Sequence, residues 1–111
     1  MTVTATNIIP AKQAESSQTA QYTSANCKTV IDRFTATNTT GTNATLAINL
    51  IASGGTAGDS NLIMKAHTIQ PGETYYCNDV VGQVLESGGF ISTIAGTASA
   101  ITIMASGRVI T

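Results

Sequence analysis

The stretch Cys27-Lys-Thr-Val-Ile-Asp-Arg-Phe-Thr-Ala-Thr-Asn38, followed after a short polar run by Thr45-Leu-Ala-Ile-Asn-Leu-Ile-Ala52, decides the fold class. Both segments alternate apolar and polar residues, and both are rich in Thr, Val and Ile, whose branched Cβ suits a pleated strand and crowds a helix. In the first, Val30, Phe34 and Ala36 share a parity that Ile31 breaks, which places a bulge near Asp32 and Arg33. In the second, Leu46, Ile48 and Leu50 alternate cleanly toward a core. The run Asn38-Thr-Thr-Gly-Thr-Asn43 between them has the composition of a turn, so the two strands are expected to form a hairpin.

The same pattern continues outward in both directions. Toward the C-terminus, Ser53-Gly-Gly-Thr-Ala-Gly-Asp-Ser-Asn61 is expected to be a flexible loop, and Leu62 to Ile69 a strand. Gln70-Pro71-Gly72-Glu73 then puts Pro and Gly where a type II turn needs them. Thr74 to Cys77, Phe90 to Ala95 and Ala100 to Ser106 are further strands, and Arg108 to Thr111 closes the chain. Only Asn78 to Glu86 has helical spacing, in Val81, Val84 and Leu85, enough for a single turn. Toward the N-terminus, Ser17 to Thr23 reads as a strand, Ala11 to Gln18 as a connection, and Thr2 to Ile9 as an arm or first strand ended by Pro10. About seven or eight short strands at this spacing predict an all-β, antiparallel two-sheet sandwich, Ig-like or jelly-roll-like, with an N-terminal arm. A chain of 111 residues holds one such domain: residues 1–26 supply the arm and first strands, and 27–111 the sandwich core.

Composition narrows the function. The chain has five basic and six acidic residues, 10 % charged, against nineteen threonines, and roughly 25 % charged is usual for soluble domains. A surface so poor in ions invites association, so the chain reads as a subunit of something larger. A formal charge of −1 offers no basic footprint for nucleic acid, and no run is long enough and apolar enough to be a helical membrane span. The N-terminus lacks the basic-then-apolar order of a signal peptide, so synthesis in the cytoplasm is expected.

Catalytic patterns are absent. His67 lies mid-strand with no second His or Cys pair at ligand spacing, and Glu15, Asp32, Asp59, Glu73, Asp79 and Glu86 are scattered singly. Gly54-Gly-Thr-Ala-Gly58 lacks the Gly-Lys-Ser/Thr ending of a phosphate-binding loop. Asp59, Ser60 and Asn61 supply one carboxylate, too few for a calcium site. No catalytic residue, cofactor or metal is expected. Cys27 and Cys77 are read as reduced, partly buried thiols, and the Asn38 and Asn43 glycosylation triplets are discounted in the absence of an export signal. Tyr75 and Tyr76 are the only adjacent aromatics, and alternation sends one of them inward.

The runs Lys28-Thr-Val-Ile-Asp-Arg-Phe-Thr-Ala-Thr-Asn38, Leu50-Ile-Ala-Ser-Gly-Gly-Thr-Ala-Gly-Asp-Ser-Asn61, Thr68-Ile-Gln-Pro-Gly-Glu-Thr74 and Gly82-Gln-Val-Leu-Glu-Ser-Gly88, with Ser106-Gly107, resemble small β-sandwich structural proteins of tailed bacteriophages and prophages. The likeness covers residues 27–111. It implies a non-enzymatic virion component, made in the host bacterial cytoplasm, which binds capsid, neck or tail proteins as a decoration or neck subunit. It also implies a symmetric homo-oligomer, a trimer being favoured; a tail or tail-fibre role and a carbohydrate or host-surface binding module are the alternatives. The expected interface residues are Val3, Ala5, Ile8 and Ile9, in a segment crossing to a neighbouring subunit, with Tyr75 and Tyr76.

Overall fold

The computed structural model describes residues 1–111. Its strands are β1 (Val3–Gln13), β2 (Thr19–Thr23), β3 (Lys28–Asn38), β4 (Ala44–Ile51), β5 (Leu62–Ile69), β6 (Thr74–Tyr76), β7 (Val84–Leu85), β8 (Phe90–Ala95) and β9 (Ile101–Ile110), with one 3-10 turn at Asp59–Asn61 and no α-helix. The alternation that predicted strands acts directly in β9, where Ile101, Ile103 and Ala105 are buried while Met104 and Arg108 are exposed. In β3, Thr29 and Ile31 point inward, then Phe34, Ala36 and Asn38 do. The change of parity is absorbed by a register shift between Ile31 and Arg33 against β9, the bulge expected at Asp32 and Arg33.

Two antiparallel sheets pack face to face. The first runs β1-β9-β3-β6, with β7 pairing the other half of β3, and the second runs β2-β8-β4-β5. The pairs β1–β9, β2–β8, β3–β6 and β4–β5 are nested, like one long antiparallel ribbon folded at the β4–β5 loop and rolled so that its rungs alternate between sheets. That order is the jelly roll, not the immunoglobulin arrangement. Between the sheets lie Ile9, Ile31, Phe34, Leu46, Ile48, Ile69, Ile91, Ile101 and Ile103, all fully buried.

This topology corrects several expectations. β3 and β4 do not form a hairpin: they lie in opposite sheets, and β4 pairs with β5 and β8. The crossing is fixed by the buried Asn38 side chain, whose amide donates to Thr42 O (2.7 Å) and Ile69 O (2.9 Å), while its Oδ1 accepts from Thr40 N (2.9 Å) and Thr40 Oγ1 (2.7 Å). Those bonds satisfy the amide where the chain turns over the end of the core.

The N-terminal segment is no free arm. β1 continues through Pro10 to Gln13 as the edge strand beside β9, and Ile8 and Ile9 are both buried because register shifts flank Ile9. Pro10 is tolerated because an edge strand has one side without ladder bonds. Residues 1–26 and 27–111 therefore share both sheets.

The stretch 78–86 is not helical. Cys77 N bonds Phe34 O and Gly82 N bonds Ile31 O, so residues 78–81 loop out between two rungs on β3, with Val80 and Leu85 buried and Val81 and Val84 exposed. Nor is the glycine-rich loop a free tether. Asn61 Oδ1 accepts from Asn49 Nδ2 (2.7 Å) and Gly58 N (3.1 Å), Asn61 Nδ2 donates to Thr56 O (2.8 Å), and Asn49 Nδ2 also reaches Gly58 O (3.2 Å). The expected type II turn is present: Gly72 sits at φ +75° and Glu73 N bonds Gln70 O at 3.0 Å.

Candidate functional site

The face of the first sheet turned away from the core belongs to the sheet with more strands, five against four. Register sets its side chains in rows: Thr37 between Thr102 and Thr74, and Thr35 between Met104 and Tyr76. Thr37 and Thr74 share a hydroxyl hydrogen bond of 2.9 Å, and Thr35 Oγ1 donates to Met104 O at 3.5 Å. Met104 is 40 % exposed and Tyr76 55 %. Hydroxyls and two large apolar side chains thus form a surface with few ions, which a partner can cover at less desolvation cost than a charged one.

Where the β3 bulge meets the 78–81 excursion, the face opens into a cleft of about 410 Å³ lined by Asp32, Arg33, Phe34, Tyr76, Asn78 and Val81. Arg33 lies over the Tyr76 ring, 5.9 Å from its centroid, and forms no ion pair. Asp32 instead accepts both Nε and Nη2 of Arg108 at 3.0 to 3.2 Å, and this carboxylate raises the guanidinium above its usual range.

The expected interface residues divide between surface and core. Val3 and Ala5 are exposed on the free edge of β1, and Tyr76 is exposed near the opposite edge of the same sheet, three strand spacings or roughly 14 Å across. Ile8 and Ile9 are spent in the protein's own core, so they are not available to a neighbour. Tyr75 is the inward member of the tyrosine pair. It packs on the core and stacks on His67, ring centroids 3.8 Å apart and planes 20° apart, so the two edge strands β5 and β6 are joined across the sheets. Burial raises the Tyr75 phenol, with smaller contributions from Asp79, Cys77 and Glu73.

The chemically reactive groups stand apart from one another. Cys77 is fully buried and its thiol is pushed up to about 12, mainly by desolvation and then by Asp79. Cys27 is half-buried, with Sγ 3.3 Å from Ser24 Oγ, and both thiols are free. Glu15 is held below the usual carboxylate range by the Gln21 amide and the Lys12 ammonium. Glu86 pairs with Lys28 at 3.5 Å. Nowhere do three or more His, Cys, Asp or Glu side chains converge as a metal-binding group.

Sequence reading missed Arg33, Asn78, Val81 and Met104 as members of this surface. The parity break at Asp32 and Arg33 was the available signal, because a bulge redirects side chains and opens space beside it. No family model, no curated protein and no solved structure matches this chain.

Proposed function

We propose that this protein is a non-enzymatic structural subunit that works by docking against other proteins, and that those proteins belong to a tailed-phage virion, with a capsid decoration or neck position ahead of a tail position. The observation that carries the reading is the outer face of the first sheet, where Tyr76, Val81 and Met104 stand exposed beside rows of threonines, with the ion pairs Asp32–Arg108 and Lys28–Glu86 at the other end of the face. Covering apolar area stabilises an assembly by about 25 cal/mol per Å², and hydroxyls can exchange water for a partner's backbone groups. The chain exposes 5652 Å², so a standard interface of about 800 Å² per partner would cover roughly one-seventh of it. The virion assignment comes from the resemblance of residues 27–111 to phage structural proteins; the jelly-roll order, which capsid domains use among many others, is compatible with it as fold analogy.

The test is mass spectrometry of purified particles from a strain that encodes the chain. Recovery at a fixed ratio to the major capsid protein is the expected result, and particles complete without it would overturn the virion reading. Tyr76→Ala combined with Met104→Asp should reduce incorporation while leaving the fold intact.

A second reading, a saccharide-binding module, is favoured by the Tyr76 ring beside Arg33 and Asn78 at the mouth of the cleft. It predicts glycan-array binding that Tyr76→Ala abolishes. An array with no signal removes it.

A further inference from the structure

We propose that two copies of this chain pair through the free edges of β1, antiparallel about a two-fold axis near Thr4, so that the first sheet continues from one copy into the other. The proposal goes beyond the docking face given above: its site is the free edge of the same sheet, and its occupant is a second copy of the chain. It is carried by the backbone. Thr2 N donates to Thr111 O at 2.8 Å and Thr111 N to Thr2 O at 2.9 Å. The register then runs Val3↔Ile110, Thr4↔Val109, Ala5↔Arg108, Thr6↔Gly107. In an antiparallel ladder only alternate residues bond a given neighbour, so Thr2, Thr4 and Thr6 face β9, and the N–H and C=O of Val3 and Ala5 point the other way, into solvent.

Exposed strand edges are usually guarded by charge, proline, bulges or shortness. The other edges of this molecule carry such guards. β5 has Lys65, Ala66 at φ +29° and two register shifts against β4. β2 spans five residues with a shift between Ala20 and Tyr22. β6 and β7 are short and are separated by the 78–81 excursion. The later half of β1 has Pro10, Lys12 and two shifts. Only Val3 to Thr6 is regular, uncharged and open, with every residue exposed and Val3 at 51 %.

The segment also complements itself. A two-fold at Thr4 sets Val3 opposite Ala5 of the second copy, Thr4 opposite Thr4 and Thr2 opposite Thr6, with no like charges face to face. Val3 and Ala5 then exchange about four hydrogen bonds in all. Such a contact is isologous and closes at two copies, so it gives a dimer where the sequence resemblance favoured a trimer.

The test uses the full chain, by sedimentation equilibrium over a dilution series and by amide hydrogen exchange. Ala5→Pro removes an N–H that β9 does not use, and proline is tolerated on an edge strand. The expected results are a wild-type dimer with slowed exchange at Val3 and Ala5. In Ala5→Pro, loss of about two hydrogen bonds should weaken the dimer about thirtyfold with little change in Tm. Val3→Lys is the second variant, placing an ammonium on each facing edge; it too should dissociate the dimer. A wild-type chain monomeric throughout the series, or variants that remain dimeric, would overturn the edge pairing. A dimer absent from particles would sink the virion reading alone, and a monomer incorporated into particles would sink the pairing alone.

Discussion

Gly107 offers the sharpest test of the fold. It lies in β9 opposite Ile31 on one side and Thr6 on the other, beside the β3 bulge, where three strands converge. A Cβ built on it would sit 2.3 Å from Val30 O, 3.3 Å from Val30 C and 3.5 Å from Ile31 Cα. The obstacle is backbone, which cannot rotate away as a side chain can, and ordinary contact would need a displacement of about 1 Å in the central strand pair. Overpacking of this kind costs about 1–3 kcal/mol, and the upper end applies because ladder bonds must stretch as well. Against a total stability of about 5–15 kcal/mol, Gly107→Ala at ~3 kcal/mol should lower Tm by about 12 °C. The assay is thermal unfolding followed by circular dichroism, with urea unfolding to obtain the free energy. Gly41→Ala is the internal control, because nothing lies within 4 Å of its Cβ position. A shift for Gly107→Ala no larger than the control's would refute the claim that close strand approach requires this glycine.

Asn49→Leu removes a 3 % exposed amide that holds Gly58 O and the Asn61 side chain; it should cost about 1–3 kcal/mol and hasten proteolytic cleavage within residues 53–61, read by limited proteolysis. The thiols should differ sharply: in the native state a maleimide labels Cys27 alone, and Cys77 reacts only after unfolding, judged by intact mass. Because the folded Cys77 thiol is raised from 9.0 to about 12, the unfolded chain loses this proton first. Its contribution is fully present below pH 9 and declines as pH rises toward 12, and Cys77→Ser should flatten that alkaline limb in urea titrations.

What the sequence made legible was local. Strand character followed from β-branched alternation, the turn at Pro71 and Gly72 from fixed φ preferences, and the β3 bulge from the parity break at Ile31. Pairing was not legible, since the polar run Asn38–Asn43 would suit a hairpin or a crossing equally well. The choice is made by the Asn38 amide reaching Ile69 O, a contact between residues far apart in the chain. The same limit explains Ile8 and Ile9. Beside Pro10 they looked like a detached apolar segment, yet register shifts fold both into the core, while the plainer Val3 and Ala5 are left on the open edge. The loop 53–61 looked mobile because glycines dominate it. Its order comes from Asn49, which alternation alone would have assigned to solvent.

The nesting of the strands also dictates an order of events during synthesis. The β4–β5 pair joins segments near in sequence and can zip early, whereas β1 finds its partner only when residues 101–110 have left the ribosome. Until then Ile8 and Ile9 lack the β9 side of the core that buries them, and the nascent chain carries an unpaired apolar strand. Slower folding than that of helical proteins of this size is the expected consequence, because the pairing of β1 with β9 closes nearly the whole chain.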